Sequence, residues 1–233
     1  MIEELPSRLA RVRERIAAAA TRVNRGPEEI NLVAVSKTHP AQIVCAAIQA
    51  GVADLGENRV QEAETKIGEV GREAARWHLI GHLQSNKVRR AIELFDIIHS
   101  VDSVALAQRL DRGCAEVGRP TLPVLIQLDL GHEETKTGIT EDALAELVQV
   151  VGKCAHLQLL GLMTLPPFFE EAERVRPYFR RLRELRDELR AQHAFGERSG
   201  DLSMGMTHDF EVAIEEGATM VRVGTAIFGS REA

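Results

Sequence analysis

The sequence predicts an α/β protein built as a single (β/α)8 TIM barrel over residues 1–233, with residues 1–26 as an extra helix packed on it. Three observations lead there. Eight short apolar runs alternate with amphipathic stretches from residue 31 onward, and strict strand-helix alternation implies parallel pairing. The chain has no long low-complexity linker, and its length suits eight such units closed on themselves. The turn after the first run, Ser36-Lys37-Thr38-His39-Pro40, lacks the glycines with which an open doubly wound sheet cradles a dinucleotide.

Between Met1 and Arg25, Leu9, Val12, Ile16, Ala20 and Val23 recur at helical spacing among charged residues, an amphipathic helix ended by Gly26-Pro27. Glu3 and Glu4 open the segment and its apolar run Ile16 to Ala20 is short, so it reads neither as a signal peptide nor as a membrane span. Strands are expected at Leu32 to Ser36, Asp54 to Glu57, Trp77 to Ile80, Ile97 to Ser100, Val124 to Asp129, Leu159 to Thr164, Asp201 to Met204 and Thr219 to Val223. Helical patterns lie between them at Pro40 to Gly51, Val104 to Val117, Glu141 to Cys154 and Glu170 to His193. In the last, Arg174 to Arg190 interleaves with Glu184, Asp187 and Glu188, the pattern of a solvated helix face.

Composition narrows the function classes. A hydrophobic share of 44% supports a sizeable buried core, while a net charge of -6 argues against a nucleic-acid surface, which needs clustered positive charge. Cys45, Cys114 and Cys154 are odd in number and widely spaced, which fits neither a zinc site nor a redox pair and suits a reducing cytoplasm. No later stretch reaches membrane-spanning length.

Chemistry collects where the first and last strands end. Val33, Val35 and Lys37 share one face of the first strand, so Lys37 is expected to leave a buried row with apolar neighbours, where a primary amine becomes nucleophilic toward an aldehyde. Barrels carry their sites at the carboxyl ends of the strands, often with a phosphate after the seventh and eighth. Ser203-Met-Gly-Met-Thr207 and Arg222-Val-Gly224-Thr225 stand there, with Gly224 and Thr225 amides and Ser203 and Thr225 hydroxyls as donors to an anion. An amine beside an anion cradle describes a site for a phosphorylated aldehyde such as pyridoxal phosphate (PLP). Arg222 faces the same interior side as Gly224, and as a buried arginine it needs a partner: the pyridine nitrogen of that cofactor or a barrel carboxylate such as Asp129.

These segments resemble the pyridoxal phosphate homeostasis proteins, a family related to the amino-terminal barrel of alanine racemases. The resemblance rests on Ala34-Val-Ser-Lys-Thr38, Gly56-Glu-Asn-Arg-Val-Gln-Glu62, His78-Leu-Ile-Gly-His-Leu-Gln-Ser-Asn-Lys87, His99-Ser-Val-Asp102, Gly161-Leu-Met-Thr164, Ser203-Met-Gly-Met-Thr207 and Val221-Arg-Val-Gly-Thr-Ala-Ile-Phe-Gly229. It implies that Lys37 forms a reversible Schiff base with PLP, that Arg222 faces the pyridine nitrogen, that Ser203, Gly224 and Thr225 hold the phosphate, and that Asn58, His82 and Met163 line the pocket. From the residues alone, Asn58 could equally cap the following helix, His82 be a loop histidine, and Met163 fill core. Arg59 and Asp129 depart from the family pattern, where tyrosine and asparagine are common.

The resemblance further implies a role in cytoplasmic PLP (vitamin B6) homeostasis and cofactor supply, as a monomer that passes PLP to PLP-dependent apoenzymes, without catalysis, metal, nucleic acid or membrane. A single-domain amino-acid racemase is the alternative and a Schiff-base aldolase a third reading. In alanine racemases the second base is a tyrosine from a carboxyl-terminal domain; here the sequence given ends at Ala233, and its single tyrosine, Tyr178, is expected on a helix outside the barrel.

Overall fold

The computed structural model describes residues 2–131 and 137–229. Eight parallel strands close into a barrel in sequence order: β1 (Asn31–Val35), β2 (Asp54–Glu57), β3 (Arg76–Leu79), β4 (Ile97–Val101), β5 (Leu122–Leu128), β6 (Leu157–Thr164), β7 (Asp201–Ser203) and β8 (Met220–Val223). The helices are α1 (Leu5–Arg22), α2 (Ala41–Gln49), α3 (Val60–Val70), α4 (Val88–Leu94), α5 (Val104–Val117), α6 (Leu144–Lys153), α7 (Arg176–Ala191), α8 (Phe210–Glu215) and α9 (Thr225–Phe228). The seam closes with β1 on β8, Val33 opposite Arg222 and Ala34 opposite Val223.

Alternation along each strand sorts residues between two layers. Ala34, Leu55, Trp77, Leu79, Ile98, Val124, Leu162, Leu202, Val221 and Val223 join the large core that packs against the helices. Inside the barrel, Ile97, Leu125, Leu160 and Met163 form a small separate cluster. A Cβ on Gly56 would stand 3.0 Å from Val33 Cγ1 and 3.1 Å from Ile80 Cδ1, so this glycine makes room for its larger interior neighbours.

Residues that start and stop chains of hydrogen bonds set the helix bounds. Ser103 accepts the Leu106 amide at 3.2 Å and Gly118 ends α5 at φ +72, matching the sequence-predicted span. The predicted helix from Glu170 is instead a 3-10 turn, Ala172–Val175, followed by α7, because Pro177 lacks the amide that a helix running through it requires. Likewise, Glu141–Ala143 is a 3-10 turn before α6. The added helix α1 buries Leu5, Leu9, Val12 and Ile16, and Arg15 and Arg22 tie it to α8 through Glu211 at 2.6 Å and Glu215 at 2.7 Å. On α7, Arg176 and Arg181 are committed to glutamates, as the solvated-face pattern predicts. No helix among the described residues is long and apolar enough to cross a membrane.

Candidate functional site

The carboxyl ends of β1 and β8 adjoin, as the sequence pattern requires of Lys37 and the Gly224 turn. A Cβ on Gly224 would lie 3.4 Å from the Val35 carbonyl oxygen and 3.5 Å from Val35 Cβ, so the two turns leave the seam side by side. His39 stacks on Phe228 with ring centroids 5.0 Å apart, pinning the β1 turn to α9. Among the described residues, no group of three or more ligand-type side chains could hold a metal ion.

Lys37 itself corrects the sequence expectation. β1 stops at Val35, and Lys37 stands two residues beyond it in an exposed turn, with no hydrogen bond or ion pair among the described residues. It is thus open to water rather than held in the apolar row that the strand pattern suggests. Thr38, next in the turn, adopts φ +67, a left-handed conformation that a β-branched residue rarely takes.

Beneath this turn lies an ionic cluster. Lys66 from α3 is 5% exposed and donates to the Ser36 carbonyl at 2.6 Å, to Glu57 at 2.7 Å and to Glu62 at 2.8 Å. Glu57 also accepts the Ser36 hydroxyl at 2.6 Å, and Glu62 accepts the Thr38 amide. The residues flanking Lys37 are therefore tied down while Lys37 itself is held by none of the described residues. Burial pushes the Glu57 carboxyl up, with Lys66 pulling against it; Glu62, less buried, is held low by Lys66 and the Thr38 amide despite its own burial.

Arg222 is the opposite case. It is 3% exposed and donates to the Ser203 hydroxyl at 2.6 Å and the Thr164 carbonyl at 2.8 Å. Burial lowers its pKa to about 10, partly offset by the charge of Asp209. The carboxylate that bears on it is thus Asp209 rather than the Asp129 considered on sequence grounds; Asp129 accepts the Gly131 amide at 3.1 Å. Ser203, given to the anion by the sequence reading, is fully buried, its oxygen engaged by Arg222 and by His99 Nδ1 at 2.9 Å. The hydroxyl beside the Gly224 amide is Thr207 Oγ1, at 3.3 Å. Sequence reasoning missed Thr207 although it closes the quoted Ser203 motif. Thr225 is exposed at the start of α9, where the Ile227 and Phe228 amides already donate to the Gly224 carbonyl.

The remaining predicted residues divide. Asn58 and His82 meet on one rim cleft of about 740 Å³, together with Arg59, Glu62, Gln84 and Lys87. Asn58 does not cap α3, whose N-cap is Arg59. His82 is half exposed and its Nδ1 lies 3.2 Å from Asp102. Met163 is fully buried in the interior cluster, opposite Ser203 across the β6–β7 pair. Tyr178 lies on α7 and stacks on Phe169 at 5.9 Å, outside the barrel. The three cysteines are free thiols, and burial pushes Cys114 up to about 11.

Comparison with known proteins places this geometry. A family model described as "Alanine racemase, N-terminal domain" matches residues 7–232. A pyridoxal phosphate homeostasis protein of Aquifex aeolicus is 44% identical over 97% of both chains. Its namesake in Escherichia coli (strain K12) is 44% identical over 99% of this chain and 98% of its own. Among solved structures, PipY of Synechococcus elongatus with PLP bound is 42% identical, covering 94% of this chain and 100% of that one with a TM-score of 0.79.

Proposed function

In a chain that belongs to the pyridoxal phosphate homeostasis proteins, within the alanine racemase N-terminal domain family, we propose that Lys37 holds PLP reversibly at the mouth of the barrel. One observation carries the reading: an exposed amine without a hydrogen-bond or ion-pair partner and a buried guanidinium without a carboxylate acceptor, both among the described residues, leave adjoining strands beside the Gly224 turn. These residues fit a ligand with an aldehyde, a ring nitrogen acceptor and a phosphate. Bound there, PLP would supply an aldehyde carbon open to reversible condensation with a primary amine.

Each residue has a separate task. Lys37 attacks from solvent, where the same water that permits its access also permits release. Arg222 would donate to the ring nitrogen, and a guanidinium there would keep that nitrogen unprotonated and the ring a poor electron sink. Gly224, Thr225 and Thr207 hold the phosphate, and Ser203 acts on the ligand through Arg222. Asn58 and His82 bound the mouth from the rim cleft, and Met163 lies in the apolar floor.

The site favours a carrier that supplies cofactor to PLP-dependent apoenzymes in the cytoplasm over a racemase. Racemisation needs a second base opposite the lysine, and Tyr178 is on the outer face of the barrel. His39, the nearest histidine in sequence to Lys37, is stacked on Phe228, which argues against a lysine-histidine aldolase pair. Large apolar side chains exposed among the described residues are only Ile2 and Phe168, which suits a monomer acting as one domain.

Mass spectrometry after borohydride reduction tests the reading. One pyridoxyl phosphate adduct is expected on Lys37, none on Lys66, Lys87, Lys153 or Lys136, the last of which lies outside the described residues, and none in Lys37→Ala. An adduct on a different lysine would overturn it. Loss of the α-deuteron from alanine faster than with free PLP, abolished in Lys37→Ala, would turn the assignment to a racemase.

A further inference from the structure

A continuous line of hydrogen bonds crosses the inside of the barrel from Arg222 to the opposite rim. From Ser203 Oγ it runs to His99 Nδ1 at 2.9 Å, from His99 Nε2 to His78 Nδ1 at 2.8 Å, and from His78 Nε2 to Asp54 Oδ1 at 2.8 Å. Arg76 donates to the same Asp54 oxygen. β4 and β7 are not neighbours in the barrel, so the His99–Ser203 contact passes through its interior. His78, His99 and Ser203 are each 0% exposed. The far end reaches water: the Arg76 side chain is half exposed and lines a cleft of about 580 Å³ at the amino-terminal rim, shared with Asp201 and Asn31.

Protons on this line have a forced direction. Burial disfavours the charge on Asp54, yet hydrogen bonds from His78 and Arg76 outweigh it and hold the carboxyl at about 2, so Asp54 is an acceptor. His78 must then present Nε2–H to it. With one proton per ring, His78 Nδ1 accepts from His99 Nε2–H, and His99 Nδ1 accepts the Ser203 hydroxyl. The Ser203 oxygen is thereby left with its lone pairs toward Arg222. A second proton on His78 reverses the order: His78 Nδ1–H donates to His99 Nε2, and His99 Nδ1–H donates to Ser203. That oxygen then accepts from both His99 and Arg222 and must turn its own proton away.

We propose that His99 and His78 are positioning residues which, anchored on Asp54, orient the Ser203 hydroxyl and through it fix how Arg222 is presented to the bound ring, so that a proton arriving at the amino-terminal rim is felt at the ligand site. The inference rests on the reading of Arg222 as the ring-nitrogen donor and deepens it. Charged groups bear on the line from each end: Asp54 on His78, Arg222 on His99, Asp54, Asp96 and Asp201 on Arg76, and Asp209 on Arg222. Burial, followed by the neighbouring His78 and Arg222 charges, keeps the His99 imidazole well below its ordinary range, so His99 relays the change without taking up the charge.

Nitrogen-15 NMR of histidine-labelled protein without ligand tests the line independently of PLP. At neutral pH both rings should carry their proton on Nε2, and on acidification His78 should add Nδ1–H while keeping Nε2–H and His99 should switch to Nδ1–H, in a single shared transition. His99 found as Nδ1–H at neutral pH, or the two rings changing at separate pH values, would overturn the proposal. The absorbance of PLP-loaded protein should shift with that same transition and lose the dependence in His99→Phe, with affinity for PLP about tenfold weaker, the size of one lost charge-assisted hydrogen bond. An unchanged pH profile in His99→Phe would also overturn it. His78→Gln is the second variant should His99→Phe not fold. Borohydride labelling of Lys37 in each variant separates the two ideas: labelling retained with the pH response unchanged sinks the relay alone, whereas no labelling in the parent protein sinks the ligand reading.

Discussion

Lys37 and Arg222 leave adjoining strands of one barrel, yet the first is exposed in a turn and the second is 3% exposed in the interior. The supports beneath them differ in kind. Under Lys37 sits an ionic cluster of one lysine and two glutamates gripping the backbone on either side of it. Under Arg222 runs a line of hydroxyl and imidazole groups that ends on a carboxylate at the far rim. An attacking amine must be reached and released, so its backbone is fixed and its side chain left loose. A guanidinium proposed to read one ring atom would have to be fixed itself, and hydrogen bonds among buried groups would do that.

Breaking the ionic support should have the largest effect. Lys66→Met leaves Glu57 buried without its cation and should cost about 3–5 kcal/mol, read from urea unfolding by the fluorescence of Trp77, the one tryptophan and fully buried. The double variant Glu57→Gln, Lys66→Met should recover most of that loss while still weakening capture of PLP, because the Ser36 carbonyl loses its tether and Glu62, which holds the Thr38 amide, loses its cation.

The anchor of the other support comes next. Asp54 has a native pKa of about 2 against 3.8 unfolded, so it adds stability that is complete above pH 3.8 and lost as pH falls toward 2. The shift is worth about 2 kcal/mol, and Asp54→Asn should flatten that part of the acid limb. His99 gives the gentlest signature. Its native pKa is lowered, so the unfolded chain takes up the proton first and stability falls as pH drops below the unfolded value near 6.5. One such group contributes a slope of about 1.4 kcal/mol per pH unit, which His99→Phe should remove.

The two supports were not equally legible in the sequence. All eight strands could be read, because strands buried on both faces are short apolar runs bounded by turns, and Val104 to Val117 was bounded by Ser103 and Gly118. The seam between Lys37 and Gly224 followed from strand order alone. Neither support was visible. Ser36, Glu57 and Lys66 come from three elements, and the His99–Ser203 contact spans 104 positions of sequence. A histidine in a strand looks the same whether it fills core or carries a proton. Only closure of the barrel brings the groups together. Closure also set the Ser203 hydroxyl against Arg222, since a residue still within β7 faces inward, whereas the hydroxyl beside the Gly224 amide belongs to Thr207, four residues on.

The left-handed backbone of Thr38 has a consequence of its own. A branched side chain in that conformation costs about 1–3 kcal/mol, and the Glu62 carboxylate bound to its amide keeps the chain there. Thr38→Gly should melt no lower than the parent, as relief of the tight torsion offsets the added freedom of the unfolded chain, yet PLP should react with it several-fold more slowly. The protein would thus be holding its hook cocked, giving up some robustness so that the aldehyde meets an amine already in place.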